Sequence, residues 1–189
     1  MRGILEGAAA LLLAVMLMAA LPTEAEGQIY ADTVRLHIPA HSDAEEDQSV
    51  KIYVRDRLLA TYGERLSAFP SAEDAEEALR NMLPEMERDV AQWLTEAGVS
   101  YGASITVTRE WYDRRAYADS VYPAGTYASL RVVLGDGAGK NWWCVMFPPL
   151  CLDMALGEAI PYSDEEKDLI GGKYRLKLKS LELAAGLFR

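Results

Sequence analysis

The residues of this chain that could hold a metal ion lie close together in the sequence. His37 and His41 are four residues apart, and Asp43 follows two residues later. Imidazole and carboxylate groups are common zinc ligands, so these three side chains are the candidate centre of a metal-dependent hydrolase. The segment reads as a strand and then a loop, so helical geometry does not bring the two rings together, and a further ligand would be needed. We therefore expect neither a bound metal nor another cofactor.

No other pattern in the sequence points to catalysis. Residues 135–140 read Gly-Asp-Gly-Ala-Gly-Lys, but Asn141 stands where a phosphate-binding loop needs the hydroxyl of Ser or Thr. We interpret this glycine-rich run as a hairpin connection. No serine lies in a Gly-x-Ser-x-Gly elbow. The chain is therefore predicted not to be an enzyme.

Cys144 and Cys151 are the two cysteines of the chain. In an exported protein such a pair is compatible with a disulfide, and the intervening Pro148 and Pro149 could turn the chain back. A bond that closes so short a loop would contribute about 2–3 kcal/mol. Two buried free thiols are the alternative.

Two adjacent tryptophans mark the candidate binding surface. Neighbouring side chains on a strand point to opposite faces, so either Trp142 or Trp143 should face outward unless both sheet faces are covered. Exposed tryptophan is a common anchor of protein interfaces. Asn141, Trp142, Trp143, Pro148 and Pro149 are therefore the candidate partner-binding residues. Burial of both tryptophans in the core is the alternative.

Composition and charge narrow the class of partner. The chain has 189 residues, of which 50% are hydrophobic and 25% charged, and a net charge of -10. This is the composition of a globular protein. The negative charge argues against nucleic-acid binding, because such proteins present a basic face to the phosphates. It favours an acidic body that faces a protein partner.

The N-terminal region resembles a secretory signal. Arg2 precedes an uncharged run of 14 residues, 8–21. That run is shorter than the roughly 20 residues that cross a bilayer, and small residues follow it near Ala25. We therefore predict a signal peptide at 1–25 and a single extracytoplasmic domain at 26–189. An uncleaved membrane anchor is the alternative.

Two helices are predicted from caps and periodicity. Ser42 and Glu45 form a candidate capping box, and Gly63 is expected to end the helix that follows. A second helix, opened by another acidic cap and ended by Gly98, contains Pro84, which predicts a kink or a break.

Alternating patterns predict strands at 33–38, 105–110, 127–134, 142–147 and 174–179, with a further short helix at 163–171. The order of these elements predicts a single α+β domain, in which two or three helices pack on one face of a mostly antiparallel sheet.

Two segments of the chain resemble signatures of the stage II sporulation protein R family. The first signature comprises Arg35-Leu36-His37-Ile38, Ala40-His41-Ser42-Asp43, Asp47-Gln48, Lys51 and Val54-Arg55-Asp56. The second comprises Pro123-Ala124-Gly125-Thr126-Tyr127, Leu130-Arg131-Val132, Gly139-Lys140-Asn141-Trp142-Trp143-Cys144-Val145 and Pro148-Pro149-Leu150-Cys151. The segment 173–177 is also similar to the end of the family's sequences. Pro39 and His41 depart from the pattern, where a branched aliphatic residue and an asparagine are usual.

The resemblance implies a messenger. It implies a protein made in the forespore and exported to the intermembrane space between forespore and mother cell. There it would activate a membrane-embedded aspartic protease of the mother-cell membrane, of the stage II sporulation GA type, which processes the pro-sigma-E precursor. The alternative is an extracytoplasmic metal-dependent cell-wall hydrolase that uses His37, His41 and Asp43.

Overall fold

The computed structural model describes residues 2–19, 24–117 and 120–148. Its helices are α1 (Arg2–Ala19), α2 (Glu24–Ala31), α3 (Glu45–Ser67) and α4 (Ala72–Glu96). Its strands are β1 (Val34–Pro39), β2 (Ala103–Tyr112), β3 (Arg115–Tyr117), β4 (Ser120–Tyr122), β5 (Gly125–Leu134) and β6 (Asn141–Phe147). The helix expected at 163–171 and the strand expected at 174–179 lie outside the described residues.

The described residues fall into two units. The larger unit comprises Tyr30–Arg114 and 124–148, and the smaller comprises 2–19, 24–29, 115–117 and 120–123. In the larger unit, four strands form one sheet in the order β2-β5-β1-β6. The β2–β5 and β1–β6 pairs are antiparallel, and the β1–β5 pair is parallel. The predicted α+β fold with a mostly antiparallel sheet is confirmed.

The position of β1 corrects one prediction. Because β1 lies between β5 and β6, those two strands are not neighbours. The glycine-rich run 135–140 therefore connects β5 to β6 past the end of β1, and its interpretation as a hairpin connection was wrong. Local sequence favours a hairpin there, but the pairing of β1 with both strands decides the topology.

The core lies between the sheet and the two long helices. Val34, Leu36 and Ile38 on β1 alternate with residues of the opposite face, as the period of two on a strand requires. Helices α3 and α4 pack their buried residues against this side of the sheet, notably Val54, Leu58, Leu79, Met86 and Val90. Each fully buried aliphatic side chain contributes about 2 kcal/mol through removal from water. The sheet is therefore fixed with one face toward the helices.

Helix α3 differs at both ends from the prediction. It begins at Glu45, and Ala44 occupies the N-cap position without a side-chain cap bond. Ser42 instead accepts a hydrogen bond from the Ala44 N–H and donates one to Asp47, so the predicted capping box was wrong. The helix also continues past Gly63 to Ser67. Burial of Leu66 against the core outweighs the low helix propensity of glycine.

Helix α4 begins as predicted but does not break. The Ser71 hydroxyl accepts a hydrogen bond from the Asp74 N–H at 3.1 Å, which confirms the cap. The helix continues through Pro84, because the buried Met82 and Met86 on either side hold it against the core. It ends at Glu96, shortly before Gly98, whose φ of 76° is readily adopted by glycine.

The smaller unit contains α1, most of α2 and the short β3–β4 pair. The large apolar side chains of α1 are exposed, with 68% of Leu11 accessible to solvent; the others are Leu12, Leu13, Val15, Met16 and Leu17. Among the described residues, no helix is long and apolar enough to span a membrane. The predicted boundary at Ala25 falls in the first turn of α2 and stays a prediction.

We expect cleavage of the exported chain near Ala25, because the apolar run is too short to anchor well and small residues follow it. The intact mass of the secreted protein measures this directly. A variant with a charged residue in place of Leu13 provides the control, since it should block export and leave the full-length mass. Secreted protein that still carries residues 1–21 would identify an anchored protein instead.

Candidate partner-binding site

The two signature segments meet on neighbouring strands. Strand β1 carries the start of the first signature, and β6 carries the end of the second. The two strands pair antiparallel, with His37 opposite Trp143 and Leu36 opposite Cys144. Segments about a hundred residues apart in the sequence therefore form one local structure.

The loop that follows β1 and the loop that precedes β6 are also joined. We call residues 40–43 and 135–140 the signature loops. The Gly139 N–H donates to the Ala40 carbonyl at 2.9 Å, and the Lys140 N–H donates to the Asp43 carboxylate at 2.7 Å. The buried Lys51 of α3 donates to the Lys140 carbonyl at 3.0 Å, and burial lowers the pKa of its amine. These bonds fix the start of β6 relative to α3.

His41 belongs to the signature loops. Its ring stacks on Tyr101 with 4.4 Å between centroids, and its Nδ1 accepts the Asp136 N–H at 3.0 Å. The Tyr101 hydroxyl donates to Asp47 at 2.8 Å, and Ser42 donates to the same carboxylate. The bonds from Ser42 and Tyr101 lower the pKa of Asp47, while burial and the bond to Asp47 raise the pKa of Tyr101. The loop is thus held by an ionised carboxylate.

His37 occupies the sheet face opposite the helices. Its Nδ1 lies 3.2 Å from a Glu110 carboxylate oxygen, and its Nε2 lies 2.9 Å from Oδ1 of Asn141. Its ring stacks on Trp143 with 3.6 Å between centroids and an interplanar angle of 13°. Arg131 approaches Glu110 with 3.4 Å between nitrogen and oxygen. We call His37, Glu110, Arg131, Asn141 and Trp143 the polar network.

Glu110 is the charged centre of this network. Burial alone would raise its pKa, but hydrogen bonds with His37 and Ser129 and the charge of Arg131 outweigh burial and leave the pKa below its ordinary value. Ser129 also bonds to Tyr112, with 2.6 Å between the hydroxyl oxygens. The network contains members from all four strands of the sheet, so it links the strands on the face opposite α3 and α4.

The three candidate metal ligands are not brought together. His37 contacts Glu110 and Asn141, His41 stacks on Tyr101, and Asp43 accepts the Lys140 N–H. Across the part of the chain that the structure describes, no group of three or more His, Cys, Asp or Glu side chains could hold a metal ion. The arrangement therefore gives the hydrolase hypothesis no metal centre there.

The adjacent tryptophans diverge onto opposite faces of the sheet, as strand geometry predicts. Trp142 packs beside the helix-side core, and the guanidinium of Arg55 lies 4.3 Å from its ring centroid. Trp143 belongs to the polar network and meets Tyr112 edge-on at 4.9 Å. Both indoles are partly buried, and neither is fully exposed.

The other predicted contact residues differ in accessibility. Asn141 is exposed at the start of β6, whereas Pro148 is buried just after its end. Pro149 lies outside the described residues. Among the predicted residues that the structure describes, Asn141 is accessible on the face of the polar network and Trp142 is partly accessible on the helix side, beside Arg55.

Cys144 is buried on β6, and Cys151 lies outside the described residues, so the pairing of the two cysteines stays a prediction. We expect them to form a disulfide after export, because an oxidising compartment favours the bond. Thiol counting under denaturing, non-reducing conditions tests this, with fully reduced protein as the control. Two reactive thiols per chain in freshly exported protein would contradict it.

Several residues of the site were not predicted from the sequence. Glu110 and Tyr101 are partners of the two histidines, and neither belongs to a recognisable motif. The period of two along β2 could have placed Glu110 and Tyr112 on one face and Trp111 on the other. Trp111 is 64% exposed, so the tryptophan most accessible to a partner is not one of the adjacent pair.

The match to a known protein family spans both signature segments. Residues 30–156 match the model of the family described as stage II sporulation protein R. Stage II sporulation protein R of Bacillus subtilis (strain 168) is 34% identical over 135 residues, a match that covers 71% of this chain and 60% of that relative. No solved structure matches the chain. The chain belongs to the stage II sporulation protein R family.

Proposed function

We propose that this chain is an exported signal made in the forespore. It reaches the intermembrane space and activates a membrane-embedded aspartic protease of the mother-cell membrane, which then processes the pro-sigma-E precursor. The observation that carries the proposal is the family match across residues 30–156, which contains both signatures. The family is named for sporulation and not for an enzyme, and the chain acts in this proposal by contact rather than by catalysis.

The surface proposed for this contact is the start of β6 with the adjoining part of α3. Asn141 is exposed on the polar-network face of that strand end, and on the helix side Trp142 presents the uncovered part of its indole beside Arg55. Aromatic and arginine side chains are enriched among the residues that dominate binding energies. The signature loops hold these groups in place through backbone bonds, so little conformational entropy is lost on binding.

The test is co-expression of the chain, the protease and the precursor in a host that lacks all three. Processed precursor should accumulate only when the chain is exported. A chain without residues 1–25 and a protease without its catalytic aspartate are the controls. Unprocessed precursor in the presence of exported, folded chain would refute the proposal.

A further inference from the structure

The exposed tryptophan of β2 is unusual within the larger unit. Trp111 is 64% exposed, whereas the other exposed large hydrophobic side chains of the described residues all belong to α1. A single exposed apolar residue is common on protein surfaces. Trp111, however, also lies on an edge strand of the sheet, where backbone groups are available for pairing.

The register of β2 shows which backbone groups point outward. The Gly135 N–H donates to the Gly102 carbonyl at 2.8 Å, in line with the antiparallel β2–β5 register that begins at the next pair. In an antiparallel ladder, hydrogen-bonded residues alternate along each strand. Gly102 and every second residue after it therefore face β5. Arg109 and Trp111 fall between them and direct their N–H and C=O groups away from the sheet.

Arg80 of α4 covers the middle of the same edge. Its guanidinium donates to the Val107 carbonyl at 3.1 Å, which agrees with the outward direction of that group. Because this carbonyl is occupied, an added strand cannot use the whole length of β2 without displacing Arg80. Arg109 and Trp111 lie on the C-terminal side of this carbonyl, where the bond from Arg80 does not reach.

Two arginine side chains lie beside this part of β2 and share one carboxylate. Arg80 and Arg109 both contact the Glu76 carboxylate, at 2.6 Å and 3.3 Å, and their side chains are 49% and 58% exposed. Two guanidinium groups thus share one carboxylate, which leaves one positive charge in excess among the three side chains. This local excess stands in a chain whose net charge is -10.

We propose that Arg109 and Trp111 form a docking site for a short extended segment of the partner protein, one that carries a carboxylate next to an apolar side chain. The carboxylate meets Arg109, and the apolar side chain packs on the indole. The outward backbone groups of both residues pair with the segment, as in strand addition to a sheet edge. The inference rests on the proposed function, since it takes the activated protease as the partner.

In the test, purified protein is added to protoplasts that contain the protease and the precursor. The concentration of added protein that gives half-maximal processing of the precursor is then measured. Trp111→Ala should raise this concentration about 30-fold, the effect of losing a central aromatic anchor. Arg109→Gln should raise it several-fold. Arg65→Gln is the matched control, because Arg65 forms a similarly exposed pair with Glu85 on the helices. Thermal melts should be unchanged for all three variants.

The outcomes separate the two proposals. Activity of the wild type with equal activity of Trp111→Ala would overturn the docking site and leave the proposed function intact. Inactive wild-type protein would refute the proposed function, and the docking site with it. Wild-type protein that sediments as a dimer, while Trp111→Ala sediments as an inactive monomer, would assign the edge to a second copy of the chain and overturn the proposed partner.

Discussion

Gly139→Ala is expected to lower the free energy of unfolding by about 3 kcal/mol. An added Cβ at Gly139 would overlap the carbonyl group of Ser42, which is backbone and cannot rotate away. The two signature loops would have to separate, with loss of the bond between Gly139 and Ala40. Urea unfolding of the purified protein, followed by circular dichroism, measures the change.

Gly102→Ala is the matched control for this substitution. No atom lies within 4 Å of a Cβ added at Gly102, so the same change of residue should alter stability little. A Gly139→Ala protein as stable as the wild type would show that the signature loops are not held together as described. Equal losses of stability at both positions would show that the protein is destabilised by replacing any such glycine with alanine, and not by the close approach at Gly139.

Trp143→Ala is also expected to lower the free energy of unfolding by about 3 kcal/mol. This value is at the lower end for the loss of a large aromatic ring. The indole lies against His37 on one side and meets Tyr112 edge-on. Its removal would leave His37 and Glu110 next to a cavity and weaken the polar network that links the four strands. The melting temperature of the variant and the urea concentration at its unfolding midpoint should both be lower than those of the wild type.

Trp142→Phe provides the comparison on the other face. Phenylalanine keeps most of the packing and removes a buried indole N–H that has no hydrogen-bond partner among the described residues, so stability should stay within about 1 kcal/mol of the wild type. Trp142→Ala removes the contact with Arg55 and is expected to reduce precursor processing more than stability. If processing falls only in proportion to stability for every variant, the segment is structural and the contact surface lies elsewhere.

The fold could be predicted largely because apolar periodicity is local. The alternation in β1 and β5 and the helical period of α4 each follow from residues close in sequence. The strand order could not be obtained this way, since β1 lies between β5 and β6 through pairings distant in the chain. The end of α3 was misjudged for a related reason, because burial of Leu66 against the core overrides Gly63.

The candidate site could be predicted only in part. The divergence of Trp142 and Trp143 follows from strand geometry alone. The environment of His37 does not follow from strand geometry, because Glu110 and Asn141 come from two other strands. The separation of His37 from His41 likewise depends on Tyr101, which holds the second ring in the signature loops. Trp111 was overlooked because exposure at a sheet edge depends on strand order.

We propose that this chain activates a membrane-embedded protease from outside the membrane. The most direct test adds purified wild-type protein to protoplasts that contain the protease and the pro-sigma-E precursor, and follows the precursor with time. We expect processing to rise with the concentration of added protein and to reach saturation. An unprocessed precursor at every concentration of folded protein, with a protease shown to be active by other means, would contradict it.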